Sequence, residues 1–512
     1  MEVIDNKGLL MQVDDPNRIL NTIPKSKPAG DGKVVVYWGI DEAQQLTKLG
    51  YKNVPSPIKR DYDFSGRFKP FKHQIETASF LTLNPRACCF NEQGTGKTVS
   101  VAYAASYLMQ VGKIKRVLIV CPLSIMTSAW MQDLFSVAMS RHSDVCYGSK
   151  EKRQKIINSK AEFVVINFDG VEIVKDEIEK GGFDLVVVDE ANAYKNTTTK
   201  RWKVLNKLIK PETYLWMLTG TPASQSPVDA YGLAKLVAPE NVPRFAGRWK
   251  DMVMIRVSQF TWIPRPNAKD IVHRALQPAI RYTKEECLDL PDITYMTRQI
   301  NLTVQQEKYY KLMRQKLVVN AAGEDITMVN AATCMNKLLQ LSGGAVYSDA
   351  GEIISFDVSP RMKVLLEIIE ESAHKILLFV PFRHAILIIN DELKKKNIPS
   401  EVIHGGVSAT KRTEIFKRFQ EKDDPKVLII QPQSASHGVT LHRADTIVYW
   451  SPVMSVETYL QCNARAHRAG QKNPVSVIHI EGSNVERKIY KMLQNKIDIH
   501  SNIINLYKNF AN

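Results

Sequence analysis

A short apolar run, Ala87–Phe90, leads straight into Asn91-Glu92-Gln93-Gly94-Thr95-Gly96-Lys97-Thr98-Val99. Strand, glycine loop and helix start in that order leave few folds open, because such units build parallel α/β sheets whose helix N-termini meet anions. Gly94, Thr95 and Gly96 form a loop whose backbone N–H groups can approach phosphates closely. Lys97 would reach the β/γ-phosphates, and the Thr98 hydroxyl is suited to hold Mg²⁺. The strict spacing asks for glycine six residues before the lysine, where Asn91 stands. On this string alone an ordinary strand–helix turn stays open.

A second string narrows the choice. Leu185-Val186-Val187-Val188-Asp189-Glu190-Ala191-Asn192 is a buried-strand pattern that ends in two carboxylates. Asp189 is suited to hold Mg²⁺ and Glu190 to polarise an attacking water as general base. Polar residues often end a strand without any role, but downstream of Gly-Thr-Gly-Lys-Thr the pair fits nucleotide chemistry. The surrounding chain agrees. Val117–Cys121, Phe163–Asn167 and Tyr214–Thr219 read as further buried strands. A second block repeats the alternation at Lys375–Val380, Glu401–His404, Val427–Gln431, Thr446–Trp450 and Val475–Ile480. Continuous Val/Ile/Leu runs are the signature of parallel strands covered on both faces.

Three stretches fall outside the alternation. Over 1–60, Val34–Trp38 reads as a strand and Asp41 as the cap of a helix over Glu42–Leu49. Ala223–Pro360 is rich in proline and holds helix-like stretches around Gln305–Lys316 and Asn330–Leu341, which reads as helical protrusions plus a crossover. The organisation expected is therefore an N-terminal accessory unit (1–60), a first α/β lobe (61–285) and a second (286–512).

Charge points to a polyanionic partner. Lys+Arg total 69 against 53 Asp+Glu, a net +16, with a pI near 9.3; nucleic acid is the commonest such partner, although a merely basic surface would look the same. No apolar run approaches the ~20 residues of a membrane helix. The N-terminus lacks the basic and apolar regions of a secretory signal. Seven cysteines without Cys-x-x-Cys spacing favour a reducing compartment over a disulfide framework or zinc ribbon. The eleven histidines show no metal-like spacing, so no metal beyond nucleotide-bound Mg²⁺ is expected.

The order of motifs resembles the superfamily-two nucleic-acid motors and, within them, the Swi/Snf-like DNA-dependent ATPases, from about Phe68 to Gln471. Phe71-Lys72-His73-Gln74 is similar to the adenine-contacting Q element, with Gln74 the base reader. Cys121-Pro122-Leu123-Ser124 followed by Trp130 resembles motif Ia, which lies along the nucleic-acid backbone. Asp189-Glu190-Ala191-Asn192 with Lys195-Asn196 is a variant of the acidic box. Leu218-Thr219-Gly220-Thr221-Pro222 resembles motif III, which makes Thr219 and Thr221 coupling residues. Phe379–Arg383 resembles motif IV, and Ser434–Ala444, with Gly438, motif V. Gln461-Cys462-Asn463-Ala464-Arg465-Ala466-His467-Arg468-Ala469-Gly470-Gln471 is close to motif VI. Asn192 stands where the family has histidine, and Met454 where tryptophan is common.

The resemblance implies two tandem RecA-like domains, parallel sheets with flanking helices, that use ATP and Mg²⁺. It implies Arg468 and Arg465, on one helix face, as arginine fingers. Gly438 and Gln461 would join Gln74, Gly94, Thr95, Gly96, Lys97 and Thr98 around the nucleotide, with His467 and Gln461 making interlobe hydrogen bonds. Ser124, Lys195, Lys200, Arg201 and Arg383 are candidate DNA contacts. The compact size suits a viral or bacterial type, monomeric, acting in the cytoplasm or nucleoid. The activity implied is translocation along double-stranded or branched DNA. A strand-separating DNA or RNA helicase shares the motifs, with Trp262, Pro264 and Pro266 the one place for a pin. An ATP-regulated DNA clamp with little turnover is the rival from another class.

Overall fold

A computed structural model describes residues 1–495 apart from 221, 224–225, 258–261, 288–289, 324–327, 348–352, 436–438 and 469. Thr221 and Gly438 therefore lie outside the described residues. The chain divides into a unit running to Cys287 and a second unit after it.

The first unit opens with β1 (Glu2–Ile4), β2 (Gly8–Gln12), β3 (Ser26–Pro28) and β4 (Lys33–Tyr37), an antiparallel sheet in the order β1-β2-β4-β3. The expected helix begins earlier than its pattern suggested, at Ile40–Lys48. Its N-cap is Gly39, not Asp41, and no side chain caps it. Asp41 sits inside the first turn, where its charge suits the helix dipole, and it pairs with Lys113.

Next come β5 (Arg86–Cys89), β6 (Val117–Cys121), β7 (Ser143–Cys146), β8 (Phe163–Asn167), β9 (Leu185–Asp189), β10 (Tyr214–Leu218), the hairpin β11 (Met254–Arg256) and β12 (Trp262–Pro264), and β13 (Ala279–Ile280). Seven of these form one sheet, ordered β13-β5-β10-β9-β6-β8-β7, with every pairing parallel. Side-chain alternation explains its solidity. Cys89, Ile119, Val165, Val187 and Trp216 pack into a core that also takes in Leu9, Val34 and Val36 of the N-terminal sheet. Cys88, Leu118, Val164, Val186 and Leu215 pack into a core on the other face. A strand buried on both faces must be apolar at every position, and this is why the runs were legible.

Trp262 is not a projecting pin. Its ring packs against the second of these cores under the Lys250 ammonium, 4.0 Å from the ring centre.

The second unit holds β14 (Ile293–Gln299), the hairpin β15 (Ala345–Tyr347) and β16 (Ile353–Ser355), β17 (Lys375–Phe379), β18 (Ser400–Ile403), β19 (Val427–Ile430), β20 (Ala444–Tyr449) and β21 (Val475–Glu481). Six form a parallel sheet in the order β14-β21-β20-β17-β19-β18, again with a core on each face. Helices Val304–Gly323 and Met328–Gly343 occupy the expected helical stretch.

A polar network behind this sheet fixes the helix Val456–Ala466. The Tyr449 hydroxyl donates to Asn463 Oδ1 at 2.9 Å, and the Tyr459 hydroxyl meets His479 Nε2 at 2.9 Å. Burial pushes the His479 pKa down to about 3, so this imidazole is neutral; its Nδ1 faces the Gln494 amide nitrogen at 3.3 Å, which leaves Nε2 to carry the ring proton toward the Tyr459 oxygen. In that arrangement the Tyr459 hydroxyl oxygen is the acceptor. Arg361 forms a forked pair with Glu486, both Oε atoms at 2.9 Å; both side chains are almost wholly buried. Two matched charges and two hydrogen bonds offset the desolvation that either alone would suffer.

No helix among the described residues is long and apolar enough to cross a membrane. Cys88, Cys89, Cys121, Cys146 and Cys462 are buried free thiols, held protonated by desolvation.

Candidate nucleotide-binding site

In a parallel sheet all strands point the same way, so the loops after their carboxyl ends share one edge. At that edge of the first unit lie the glycine loop after β5, Ser124 after β6, Asp189 and Glu190 at the end of β9, and Thr219 after β10. One topological fact thus gathers residues scattered over more than a hundred positions.

The loop has the conformation its glycines permit. Gly94 and Gly96 have φ of +85° and +80°, a left-handed region that side chains with a Cβ adopt at a cost. Gly96 is the N-cap of the helix Lys97–Gln110. A Cβ there would stand 2.2 Å from Gln74 Nε2. Gln74 is nearly buried against the loop: it donates to the Thr95 carbonyl at 3.2 Å and accepts from Phe71 N–H at 3.0 Å. His73 Nε2 donates to the same carbonyl at 2.7 Å. The Gln74 amide nitrogen and the His73 ring thus brace the loop at one carbonyl.

Asn91 explains its own departure from the motif. It is buried and does not have positive φ, so nothing there demands glycine. Its Nδ2 donates to Thr77 Oγ1 at 2.8 Å, and its Oδ1 accepts from Tyr282 N–H at 3.0 Å. The chain after β13 runs on beside the loop, with Glu92 N–H donating to the Tyr282 carbonyl at 2.9 Å. Nothing local in the chain announces this clamp, because β13 has only two residues.

Lys97 Nζ donates to the Asn91 carbonyl at 2.8 Å and the Glu92 carbonyl at 3.3 Å. The ammonium is therefore held at the loop by weak acceptors that a phosphate would outcompete. Asp189 is buried; it accepts from Trp130 Nε1–H at 3.0 Å and from Glu190 N–H at 2.9 Å. Burial raises its pKa, and the Lys97 charge is the largest influence opposing that rise. A buried carboxylate facing an ammonium, with a threonine hydroxyl on the same loop, is a hard-oxygen donor set that fits Mg²⁺. Glu190 follows with φ of +51°, a strained setting for a residue with a Cβ, of the kind that clusters at functional sites.

The turn Ala191–Tyr194 meets the helix Ala230–Val237 at Gly232, where a Cβ would stand 2.3 Å from the carbonyls of both Tyr194 and Lys195. Trp202 Nε1–H donates to the Gly232 carbonyl at 2.9 Å, and Lys195 pairs with Asp229 at 3.2 Å. The acidic box is thereby tied to the helix that follows Thr219–Pro222, although Asn192 replaces the family's histidine. Thr219 is buried and donates its N–H to the Cys89 carbonyl at 3.1 Å.

Three of the DNA-contact candidates, Lys195, Lys200 and Arg201, pair with carboxylates. Lys200 pairs with Glu172. Arg201 pairs with Asp169 at 2.9 Å and lies over the Phe168 ring. Ser124 lies in the single 3₁₀ turn Leu123–Ile125, and Arg383 begins the helix Arg383–Lys395 of the second unit.

In the second unit, Arg465 and Arg468 do not share a helix face. The helix ends at Ala466 with His467 as its C-cap. The chain turns there because Gln471 Nε2 folds back to the carbonyls of His442, Ala444 and Ala466. The two arginines converge instead on one carbonyl, that of Val439, at 3.0 Å from Arg465 Nη1 and 3.5 Å from Arg468 Nη1. Arg465 is buried and also donates to the Gln461 carbonyl at 3.0 Å. Within this unit Gln461 Nε2 donates to Glu457 at 3.4 Å, and the His467 ring to the Pro291 carbonyl at 2.9 Å.

A glycine loop, a lysine and an acidic pair at one edge of a parallel sheet define a nucleoside-triphosphate site class. Comparison with known families carries the assignment further. The SNF2-related domain matches residues 73–343, more than half of the chain, and the helicase conserved C-terminal domain matches 360–470. The chain belongs to the SNF2-related family. It is 26% identical over 466 residues to a chromodomain-helicase-DNA-binding protein 1-like of Danio rerio, covering 84% of this chain and 44% of that protein. It is 24% identical over 538 residues to the nuclear protein STH1/NPS1 of Saccharomyces cerevisiae, covering 95% and 39%. An uncharacterized ATP-dependent helicase of Mycoplasma pneumoniae is 25% identical over 436 residues, with 82% and 41% covered. The chain thus spans less than half the length of these relatives. Among solved structures it is similar to the Sulfolobus solfataricus SWI2/SNF2 ATPase core in complex with dsDNA, with a TM-score of 0.42, 22% identity, and 88% and 95% of the two chains covered.

Proposed function

We propose that this chain is a DNA-dependent ATPase that converts ATP hydrolysis into translocation along double-stranded DNA. The observation that carries this reading is the glycine loop with Lys97, set at the same sheet edge as Asp189 and Glu190, in a chain of the SNF2-related family. Gly94–Gly96 and Lys97 take the β- and γ-phosphates, and Gln74 lies beside the loop for the adenine. Thr98 and Asp189 hold the magnesium, which neutralises developing charge on the phosphates when bound. Glu190 accepts the proton of the attacking water. Arg468, with Arg465 beside it, supplies positive charge opposite the leaving group. Gln461 and Gly438 border the nucleotide, and Thr219 and Thr221 relay its state. Residues 1–60 form an accessory unit, followed by lobes 61–285 and 286–512. Ser124, Lys195, Lys200, Arg201 and Arg383 meet the DNA backbone, with Lys195, Lys200 and Arg201 exchanging Asp229, Glu172 and Asp169 for phosphates. The protein works as a monomer at the DNA of a bacterial or virus-infected cell.

Trp262 lends the strand-separating reading no support, since its ring is packed against the core. Phosphate release measured with duplex, single-stranded and branched DNA and with RNA tests the proposal. Duplex DNA is expected to stimulate turnover most. Little stimulation by any nucleic acid, with tight DNA binding retained, would mark the chain as a clamp. Binding should show little sequence preference and weaken steeply with salt, roughly a hundredfold between about 50 and 200 mM if about four phosphates are neutralised. Titrations at the two salts check this, and unchanged affinity would refute backbone binding.

A further inference from the structure

Between β6 and β7 the chain forms a π-helical turn, Met126–Met131, followed by the short α-helix Gln132–Val137. Isolated π turns are frequent at functional sites. Here the turn places two side chains three residues apart on the two residues suited to hold magnesium. Trp130 Nε1–H donates to Asp189 Oδ2 at 3.0 Å, and Asp133 accepts the hydroxyl proton of Thr98.

We propose that Asp133 is a positioning residue for magnesium: by accepting the Thr98 proton it turns the Thr98 oxygen lone pairs toward the metal, while Trp130 fixes the Asp189 carboxylate. This rests on the ATPase reading above. A hydroxyl has one proton and two lone pairs. With the proton committed to Asp133, both lone pairs are left to ligate, and the neighbouring carboxylate makes the oxygen a better donor. Partners that orient metal ligands in this way commonly change metal affinity by about 10–100-fold when removed. Asp133 is itself half-exposed, whereas Trp130 is fully buried, so substitution at Asp133 leaves the core intact. The same segment follows Ser124, a candidate DNA contact, so a shift of this turn would reach both magnesium-holding residues together.

The test is binding of a fluorescent ADP as MgCl₂ is titrated, with thermal melting of each variant followed alongside. Asp133→Asn should raise the magnesium concentration for half-effect roughly 10–100-fold, with metal-free ADP binding unchanged. Asp133→Ser should do the same, and Asp133→Glu, which keeps a charged carboxylate acceptor, should recover much of the loss. If Asp133 acts through Thr98, the pair Thr98→Val with Asp133→Asn should be no weaker for magnesium than Thr98→Val alone. A magnesium requirement unchanged in Asp133→Asn and Asp133→Ser, or full additivity in the double variant, overturns the inference while the ATPase reading stands. A parent protein that binds no ADP at any magnesium concentration overturns that reading, and this inference with it.

Discussion

Glu190→Gln should bind ATP and fail to turn it over. The substitution keeps the size of the side chain and the backbone at φ +51°, and removes only the ability to accept a proton. General-base catalysis is worth about 10²–10⁴-fold, so turnover should fall by that factor while nucleotide affinity stays near that of the parent. Lys97→Ala should act at the earlier step. Its ammonium is held by the Asn91 and Glu92 carbonyls at the loop, and no other cation on the described loop residues 91–99 replaces it. Loss of a hydrogen-bonded charge from such a site costs roughly 2–5 kcal/mol, enough to abolish ATP binding at ordinary concentrations. Equilibrium binding and single-turnover hydrolysis separate the two variants. Near-parental turnover in Glu190→Gln would remove Glu190 from the base role, and parental ATP affinity in Lys97→Ala would remove the loop from phosphate binding.

Arg468→Ala should lower kcat by roughly 10³-fold or more with little change in ATP affinity, as expected for a cation that acts on transition-state charge. The two arginines of the motif differ in setting. Arg465 is buried and spends donors on the Gln461 and Val439 carbonyls. Arg468 lies beyond the helix end, half-exposed, with a long contact to Val439. Arg465→Ala should also destabilise the second unit, which a melting curve would show. A change in KM alone for Arg468→Ala would make it a ground-state binder.

Much of this site was legible in the sequence because its parts obey short-range rules. A glycine loop needs its glycines at Gly94 and Gly96, and doubly covered strands such as Leu185–Asp189 must be apolar throughout. Those two constraints alone single out Lys97, Asp189 and Glu190; the parallel sheet order brings them to one edge. Three of the four edge strands of the two parallel sheets were missed for the converse reason. Ser143–Cys146 and Ile293–Gln299 are partly exposed and carry polar residues, and Ala279–Ile280 is too short for any periodicity. Contacts made across long sequence separations were also invisible: Asn91 with Tyr282, Gly232 against the acidic box, and Thr98 with Asp133. Asp133 did leave a trace, three residues after the Trp130 already singled out, but nothing local said which way it would face. The arginine pair was misjudged because helix periodicity was carried past Ala466, where Gln471 turns the chain.

The proposed activity is directional motion along a duplex without its separation. Displacement of a third strand from a blunt-ended DNA triplex measures this most directly, run beside a forked duplex with a single-stranded tail. ATP-dependent release of the third strand, abolished in Glu190→Gln, with the fork left closed, is the expected result. An opened fork with the triplex left intact would contradict duplex translocation and make the chain a strand-separating helicase.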